Sequence, residues 1–115
     1  MKTLIVTDGN KRTIIDVADV LFFSARPPYI HIHHKAKGYL YRETLKSLSS
    51  KLDSGLFIRE HKSAIVNMMK VQSYKSRLNG DYDLTMVDGT EIRLSRNFAP
   101  AFKEKFESSH QDTTK

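Results

Sequence analysis

Short stretches of alternating apolar and polar residues dominate the chain and predict a mainly β protein. Residues 29–34 show this pattern clearly, because Ile30 and Ile32 fall on one face of a strand and His31 and His33 on the other. Comparable runs predict strands over residues 3–6, 13–17, 21–23, 29–34, 39–42, 57–59, 71–76, 82–86 and 91–94. Glycine-containing turns between them are typical of antiparallel hairpins.

Two segments carry helical spacing instead. Leu45, Leu48 and Leu52 follow Thr44, whose side chain is suited to capping a helix start, and predict a helix over residues 45–52. Phenylalanines at every fourth position predict a second helix over residues 97–107. Residues 64–68 are predicted to form a short turn of helix.

Chain length and the polar end of the sequence set the domain organisation. A chain of 115 residues is enough for one domain and not for two. We expect one domain over residues 1–107, because residues 108–115 are polar and predicted to be disordered.

Composition excludes several classes of protein. The chain has no cysteine, which excludes a disulfide scaffold, a thiol nucleophile and the cysteine-rich zinc modules and fits a reducing compartment. No apolar run approaches the about 20 residues of a membrane-spanning helix. The 19 Lys and Arg against 13 Asp and Glu give a net charge of +6, which favours nucleic acid, anionic lipid or an acidic protein as partner.

Signals of catalysis and of metal binding are weak. The sequence has no G-x-S-x-G or H-E-x-x-H motif and no phosphate-binding glycine loop, so we expect no enzyme. Asp81 and Asp83 could imitate a carboxylate pair, but two solvent-facing acids on a strand are the simpler interpretation. His31 and His33 could share a metal, yet spacing supplies no third ligand, and we therefore expect no metal and no cofactor.

Residues 59–67 hold side chains suited to a nucleic-acid backbone. Arg59 and Lys62 supply positive charge for phosphates, and His61 and Ser63 supply compact hydrogen-bond donors. Lys62 could also reach a guanine edge in a major groove. Basic residues dominate from 59 to 77 and acids from 78 to 92, which suggests one basic face with the acids elsewhere.

A second stretch, residues 88–97, is a tight hairpin that runs into a helix start. Ser95, Arg96 and Asn97 lie where backbone N–H groups would attract phosphate. Ser95 and Asn97 are equally compatible with plain helix caps, and Arg96 with a surface salt bridge.

Taken in order, these stretches resemble the LytTR family of bacterial DNA-binding domains over residues 14–106. The pieces that carry the resemblance are IDVADVLFF (15–23), YIHIH (29–33), RETLKSL (42–48), FIREHKSAIVN (57–67) and DGT (88–90) through Ser95-Arg96. The resemblance implies an elongated β-sandwich of short antiparallel sheets with two small helices. It also implies sequence-specific binding to duplex DNA by a cytoplasmic transcriptional regulator whose loops, rather than a recognition helix, enter the major groove.

The resemblance also implies roles for individual residues. Base-reading positions would be Lys62, Arg96 and Arg26 or Tyr29, while Arg59, His61, Ser63 and Asn97 would contact the DNA backbone. The loop at residues 24–28 departs from the small and polar residues usual in the family, because Pro27 and Pro28 stiffen it and remove N–H donors. Paired direct-repeat sites are usual in the family, which would bring two copies together as a homodimer on DNA.

Two other partners stay open. The same basic face could dock an acidic protein, and Tyr29, Tyr39 and Tyr41 could form a stacking platform for RNA. If His31 and His33 lie beside the DNA, phosphate neighbours would favour their protonation, and binding should tighten between about pH 7.5 and about pH 6.

Overall fold

Ten strands in three antiparallel sheets form the framework of the computed structural model, which describes residues 1–35 and 37–110 and, for Glu60 and His61, the backbone alone. The strands are β1 (Thr3–Asp8), β2 (Lys11–Asp16), β3 (Val20–Arg26), β4 (Tyr29–His34), β5 (Gly38–Tyr41), β6 (Phe57–His61), β7 (Ala64–Asn67), β8 (Val71–Ser76), β9 (Tyr82–Met86) and β10 (Glu91–Leu94). The helices are α1 (Leu45–Ser49) and α2 (Ala99–Ser109), with 3-10 turns at Val17–Asp19 and Met68–Lys70.

The five-stranded sheet, in the order β5-β4-β3-β7-β6, has a hydrophobic core on each face. One face packs against α1 and the β1–β2 hairpin, and the other against α2 and the three-stranded sheet β10-β9-β8. The molecule measures 52 × 27 × 25 Å. The predicted fold, an elongated mainly β sandwich with two small helices, is confirmed.

Strand β3 supplies both cores. Val20 and Phe23 enter the core beneath α1, whereas Leu21 and Phe22 enter the core beneath α2. A strict alternation would not distribute the four side chains in this way, but a register shift between Val20 and Phe22 does. The sheet is therefore covered on both faces at its centre.

The predicted turn of helix at residues 64–68 is wrong, because residues 64–67 form β7. This strand lies between β3 and β6, and all four of its residues are buried. Ala64, Ile65 and Val66 form an apolar run too short to carry a period of two or of 3.6, so periodicity cannot separate a central strand from a helix.

The two helices differ from the predictions at their ends. In α1 the Thr44 side chain accepts a hydrogen bond from the Ser47 N–H at 3.1 Å, as predicted, but the helix already ends at Ser49. Helix α2 continues to Ser109, two residues into the segment expected to be disordered. Residues 111–115 of that segment lie outside the described residues.

Asn67 is the buried polar side chain that ties the centre of the fold together. Its Nδ2 donates to the carbonyls of Ala18 at 3.1 Å and Val20 at 2.8 Å, and its Oδ1 accepts from the Met69 N–H at 2.9 Å. These bonds fix the end of β7 to the start of β3.

Candidate nucleic-acid interface

The β3–β4 and β6–β7 turns lie side by side at one end of the five-stranded sheet. The Ala25 N–H donates to the Ser63 carbonyl at 2.7 Å, so the two turns are joined through their backbones. Arg26 and Tyr29 face each other across the Pro27–Pro28 turn, whose peptide bond is cis, and both side chains are exposed. The structure thus brings two sequence-predicted loops together.

A groove of about 310 Å³ separates these turns from the start of α1. Apolar side chains and cations line it in combination: Pro27, Pro28, Tyr29, Ile30 and Leu45 on the apolar side, and Lys46, Arg59 and Lys62 among the cations. An apolar floor beneath positive charge suits the face of a sugar–phosphate backbone or a base edge.

Arg42 and Lys46 belong to this surface, although the sequence did not assign them a role. The Arg42 guanidinium lies over the Tyr29 ring, 5.8 Å from its centroid, in a cation–π contact. Lys46 lines the groove. Both residues lie two positions from the helix cap Thr44. This spacing was the signal in the sequence that could have identified them, because a cap fixes where the neighbouring side chains point.

Glu43 is an acid within the groove, and other side chains occupy its carboxylate. Lys51 forms a salt bridge to it at 3.0 Å, and the Ser47 hydroxyl donates to it at 2.7 Å. The hydrogen bond to this carboxylate raises the pKa of Lys51. The acid is therefore compensated from the α1 side and subtracts little from the positive charge at the two turns.

The β6–β7 turn is organised by its own arginine. The half-buried Arg59 donates from its guanidinium to the backbone carbonyl of Lys62, while the Lys62 side chain remains exposed. Ser63 is half-buried and accepts the bond from Ala25 described above. The side chain of His61 lies outside the described residues.

Ser95, Arg96 and Asn97 form a separate loop between β10 and α2, two elements that pack against β6. The Ser95 hydroxyl accepts from the Asn97 N–H at 3.3 Å, and the Ser95 carbonyl accepts from the Phe98 N–H at 2.9 Å. The N-cap of α2 is Phe98, with no side-chain cap bond. Ser95 and Asn97 therefore shape the loop and do not cap the helix.

Arg96 is held by the β8–β9 turn, residues 77–81. Its Nη1 donates to the Asn79 carbonyl at 3.0 Å, and its backbone N–H donates to Asp81 Oδ1 at 2.9 Å. The bond from the Arg96 backbone is the main cause that lowers the pKa of Asp81. Arg96 is exposed to solvent, and these two hydrogen bonds hold it in place.

The acids near this loop lie among arginines and not on a separate face. Asp83 binds Arg77 Nη1 through both oxygens at 3.1 Å, and Arg93 lies 3.5 Å from Asp81 and 3.7 Å from Asp83. The expected segregation of acids is therefore wrong here. Ion pairing also explains the two carboxylates without any catalytic role.

Two histidines of β4, His31 and His33, stack on the five-stranded sheet. The rings of His31 and His33 lie 3.9 Å apart, His33 also stacks on Phe22 at 3.8 Å, and its Nε2 lies 3.0 Å from the Ser24 hydroxyl. Burial, followed by the charge of His31, lowers the pKa of His33 to about 4, although Asp88 opposes the shift. His33 is therefore neutral in the free protein between pH 7.5 and pH 6, and the tightening of DNA binding over this range stays a prediction.

Two further observations bear on the partners. Tyr39 and Tyr41 are half-buried against the core beneath α1, so they do not display an open stacking platform for RNA. Among the described residues, no group of three or more His, Asp or Glu side chains is placed to hold a metal ion.

Comparison with known sequences identifies the family of this chain. Residues 10–107 match the profile of the LytTr DNA-binding domain, which is most of the chain. The chain belongs to the LytTr DNA-binding domain family. The family is named for DNA binding and is not a catalytic family.

Longer bacterial proteins named for sensory transduction match this chain. The chain is 28% identical over 101 residues to the sensory transduction protein LytT of Bacillus subtilis, which is 88% of this chain and 42% of that protein. It is 30% identical over 87 residues to LytT of Enterococcus faecalis, with 76% of this chain and 36% of that protein covered. The chain thus spans less than half the length of these relatives.

A solved structure supports the fold. The LytTr DNA-binding domain of a Bacillus cereus protein superposes with a TM-score of 0.85 at 17% identity, covering 93% of this chain and 98% of that one. Within the described part of this LytTr chain, no helix is long and apolar enough to cross a membrane.

Proposed function

We propose that this LytTr domain binds duplex DNA sequence-specifically, with its loops in major grooves, as part of a cytoplasmic bacterial transcriptional regulator. The observation that carries the proposal is the convergence of the β3–β4 and β6–β7 turns around one groove with a cationic rim. A net charge of +6 adds a general attraction for a polyanion.

Lys62 and Arg96 are the proposed base-reading residues, with Arg26 or Tyr29 from the β3–β4 turn. The Lys62 side chain is exposed while Arg59 holds its backbone carbonyl. Arg96 uses Nη1 to bind Asn79, and a guanidinium has further N–H donors that can reach a guanine edge.

The other loop residues are proposed to contact phosphates and to set the register on the duplex. They are Arg59, His61, Ser63, Ser95 and Asn97, and the structure adds Arg42 and Lys46 to the basic surface. Each phosphate neutralised by Lys or Arg should contribute about 0.9 to the slope of log K against log salt. We further propose paired direct-repeat sites that carry two copies of the domain.

Selection of bound sequences from a random duplex pool, followed by binding titrations, tests the proposal. Lys62→Ala and Arg96→Ala should each lose about 1–3 kcal/mol of discrimination between the selected duplex and a scrambled one. Lys11→Ala, a change of an exposed lysine on β2, is the matched control and should retain discrimination. Equal losses on both duplexes would reduce Lys62 and Arg96 to phosphate contacts.

The same titrations separate the other partners. Single-stranded RNA and an acidic peptide should bind more weakly than the selected duplex at every salt concentration. The packing of Tyr39 and Tyr41 against the core supports the expectation for RNA. An acidic peptide that binds as tightly as the selected duplex would replace DNA binding with protein docking.

A further inference from the structure

Leu78, in the β8–β9 turn, stands out among the exposed apolar residues. Its relative exposure is 110%, against 70% for Ile14 and 58% for Met69. A single exposed leucine is ordinary on a protein surface. Leu78 differs because the turn that presents it is fixed and is attached to Arg96.

Hydrogen bonds within the β8–β9 turn hold its shape. The Arg77 N–H donates to the Asp81 carbonyl at 2.8 Å, and the Gly80 N–H donates to the Arg77 carbonyl at 3.1 Å. The Asp81 N–H donates to Asn79 Oδ1 at 3.0 Å. Gly80 has a φ of +93°, which favours glycine, so the chain reverses there without steric cost.

The same turn binds Arg96 at two points, the Asn79 carbonyl and the Asp81 carboxylate. Asn79 directly follows Leu78, and consecutive Cα atoms are about 3.8 Å apart. A DNA edge within reach of the Arg96 guanidinium is therefore also close to the Leu78 side chain.

Charge favours DNA as the occupant of this surface. The basic side chains here are Arg77, Arg93 and Arg96, and the acids are Asp81 and Asp83, so positive charge is in excess. An apolar tip surrounded by net positive charge fits a polyanion that also presents an apolar group.

We propose that Leu78 contacts the C5-methyl group of a thymine in the major groove that Arg96 enters, which makes the β8–β9 turn a further base-reading element. The inference rests on the proposed function of Arg96. Thymine alone among the bases displays a methyl group in the major groove, and apolar side chains recognise it.

Replacement of single thymines by uracil in the selected duplex tests the contact, because uracil keeps the base pair and lacks the methyl group. Replacement of one thymine, next to the base pair that Arg96 reads, should weaken binding of the wild-type protein about threefold to tenfold. Leu78→Ala should bind the unmodified duplex more weakly and should be insensitive to uracil at that thymine. Ile14→Ala, an exposed apolar control on β2, should keep the wild-type sensitivity.

Three results would overturn the inference alone while selection and the effect of Arg96→Ala still stand. In the first, the wild-type protein is insensitive to uracil at every thymine. In the second, Leu78→Ala keeps the full sensitivity to uracil. In the third, Leu78→Ala changes the association state by sedimentation and leaves DNA binding intact, which would assign the tip to a protein contact. Failure of the pool to yield any preferred sequence would overturn the proposed function, and the Leu78 contact with it.

Discussion

Removal of the Asn67 side chain should be among the most destabilising single changes in this protein. Asn67 is fully buried, and its amide satisfies two carbonyls and one N–H. Asn67→Ala would leave the Val20 carbonyl without this partner at a buried site and would also remove the partner of the part-buried Met69 N–H. The perturbation removes the side-chain bonds between the end of β7 and the start of β3, while the backbone pairing of the two strands remains.

The expected loss follows from the three bonds. Each hydrogen bond contributes a net of about 0.5–1.5 kcal/mol, and a buried donor or acceptor left without a partner costs about 1–3 kcal/mol. Part of that cost is recovered by relaxation of the turn at Met68–Lys70, so we expect a decrease of about 2–4 kcal/mol in the free energy of unfolding. That is a large part of the about 5–15 kcal/mol typical of a domain.

Urea unfolding followed by circular dichroism measures the effect. The midpoint should fall while the slope with denaturant stays constant, because the surface exposed on unfolding is unchanged. Asn97→Ala, a change of an exposed asparagine, should cost less than about 0.5 kcal/mol. Asn67→Asp keeps the acceptor for Met69 but loses both donors and should be at least as destabilised as Asn67→Ala. A loss below about 1 kcal/mol for Asn67→Ala would refute the reasoning.

Three further predictions concern charged groups. Asp81→Ala should weaken binding to the selected duplex although it removes a negative charge, because Asp81 holds the Arg96 backbone, and Asp81→Asn should preserve binding; tighter binding of Asp81→Ala would contradict this. Since the pKa of His33 is lowered to about 4 in the folded state, the unfolded chain takes up the proton first. The contribution of His33 to the free energy of unfolding is full above about pH 6.5 and is lost as the pH falls toward 4. The loss is about 1–2 kcal/mol after allowance for partial exposure. His33→Phe should lose less stability than the wild type between pH 7 and pH 4.5 in urea titrations, and an identical loss would disprove the assignment. Arg59→Ala should reduce the salt slope of DNA binding by about one, and an unchanged slope would remove Arg59 from the DNA interface.

The half-buried strands could be predicted from the sequence. The bounds of β4, β9 and β10 agree with the predictions, because each strand alternates between a core face and a more open face. The cap at Thr44 was equally visible, since the bond it makes is local. Local chemistry also identified the basic turn that holds Arg59 and Lys62.

Tertiary structure decided what local patterns cannot express. Strand β7 is buried on all sides, so its pattern has no period, and only its place between β3 and β6 makes it a strand. Burial likewise moved the pKa of His33, which the sequence alone leaves at its ordinary value.

The arrangement of the candidate interface likewise depends on the tertiary structure. Ala25 meets Ser63, and Arg96 meets Asp81, because sheet register brings together turns that are far apart in sequence. Residue types along the chain indicate which side chains can bind DNA. Only the pairing of strands decides which of them share a surface, which acids lie among them and which apolar tip stands beside Arg96.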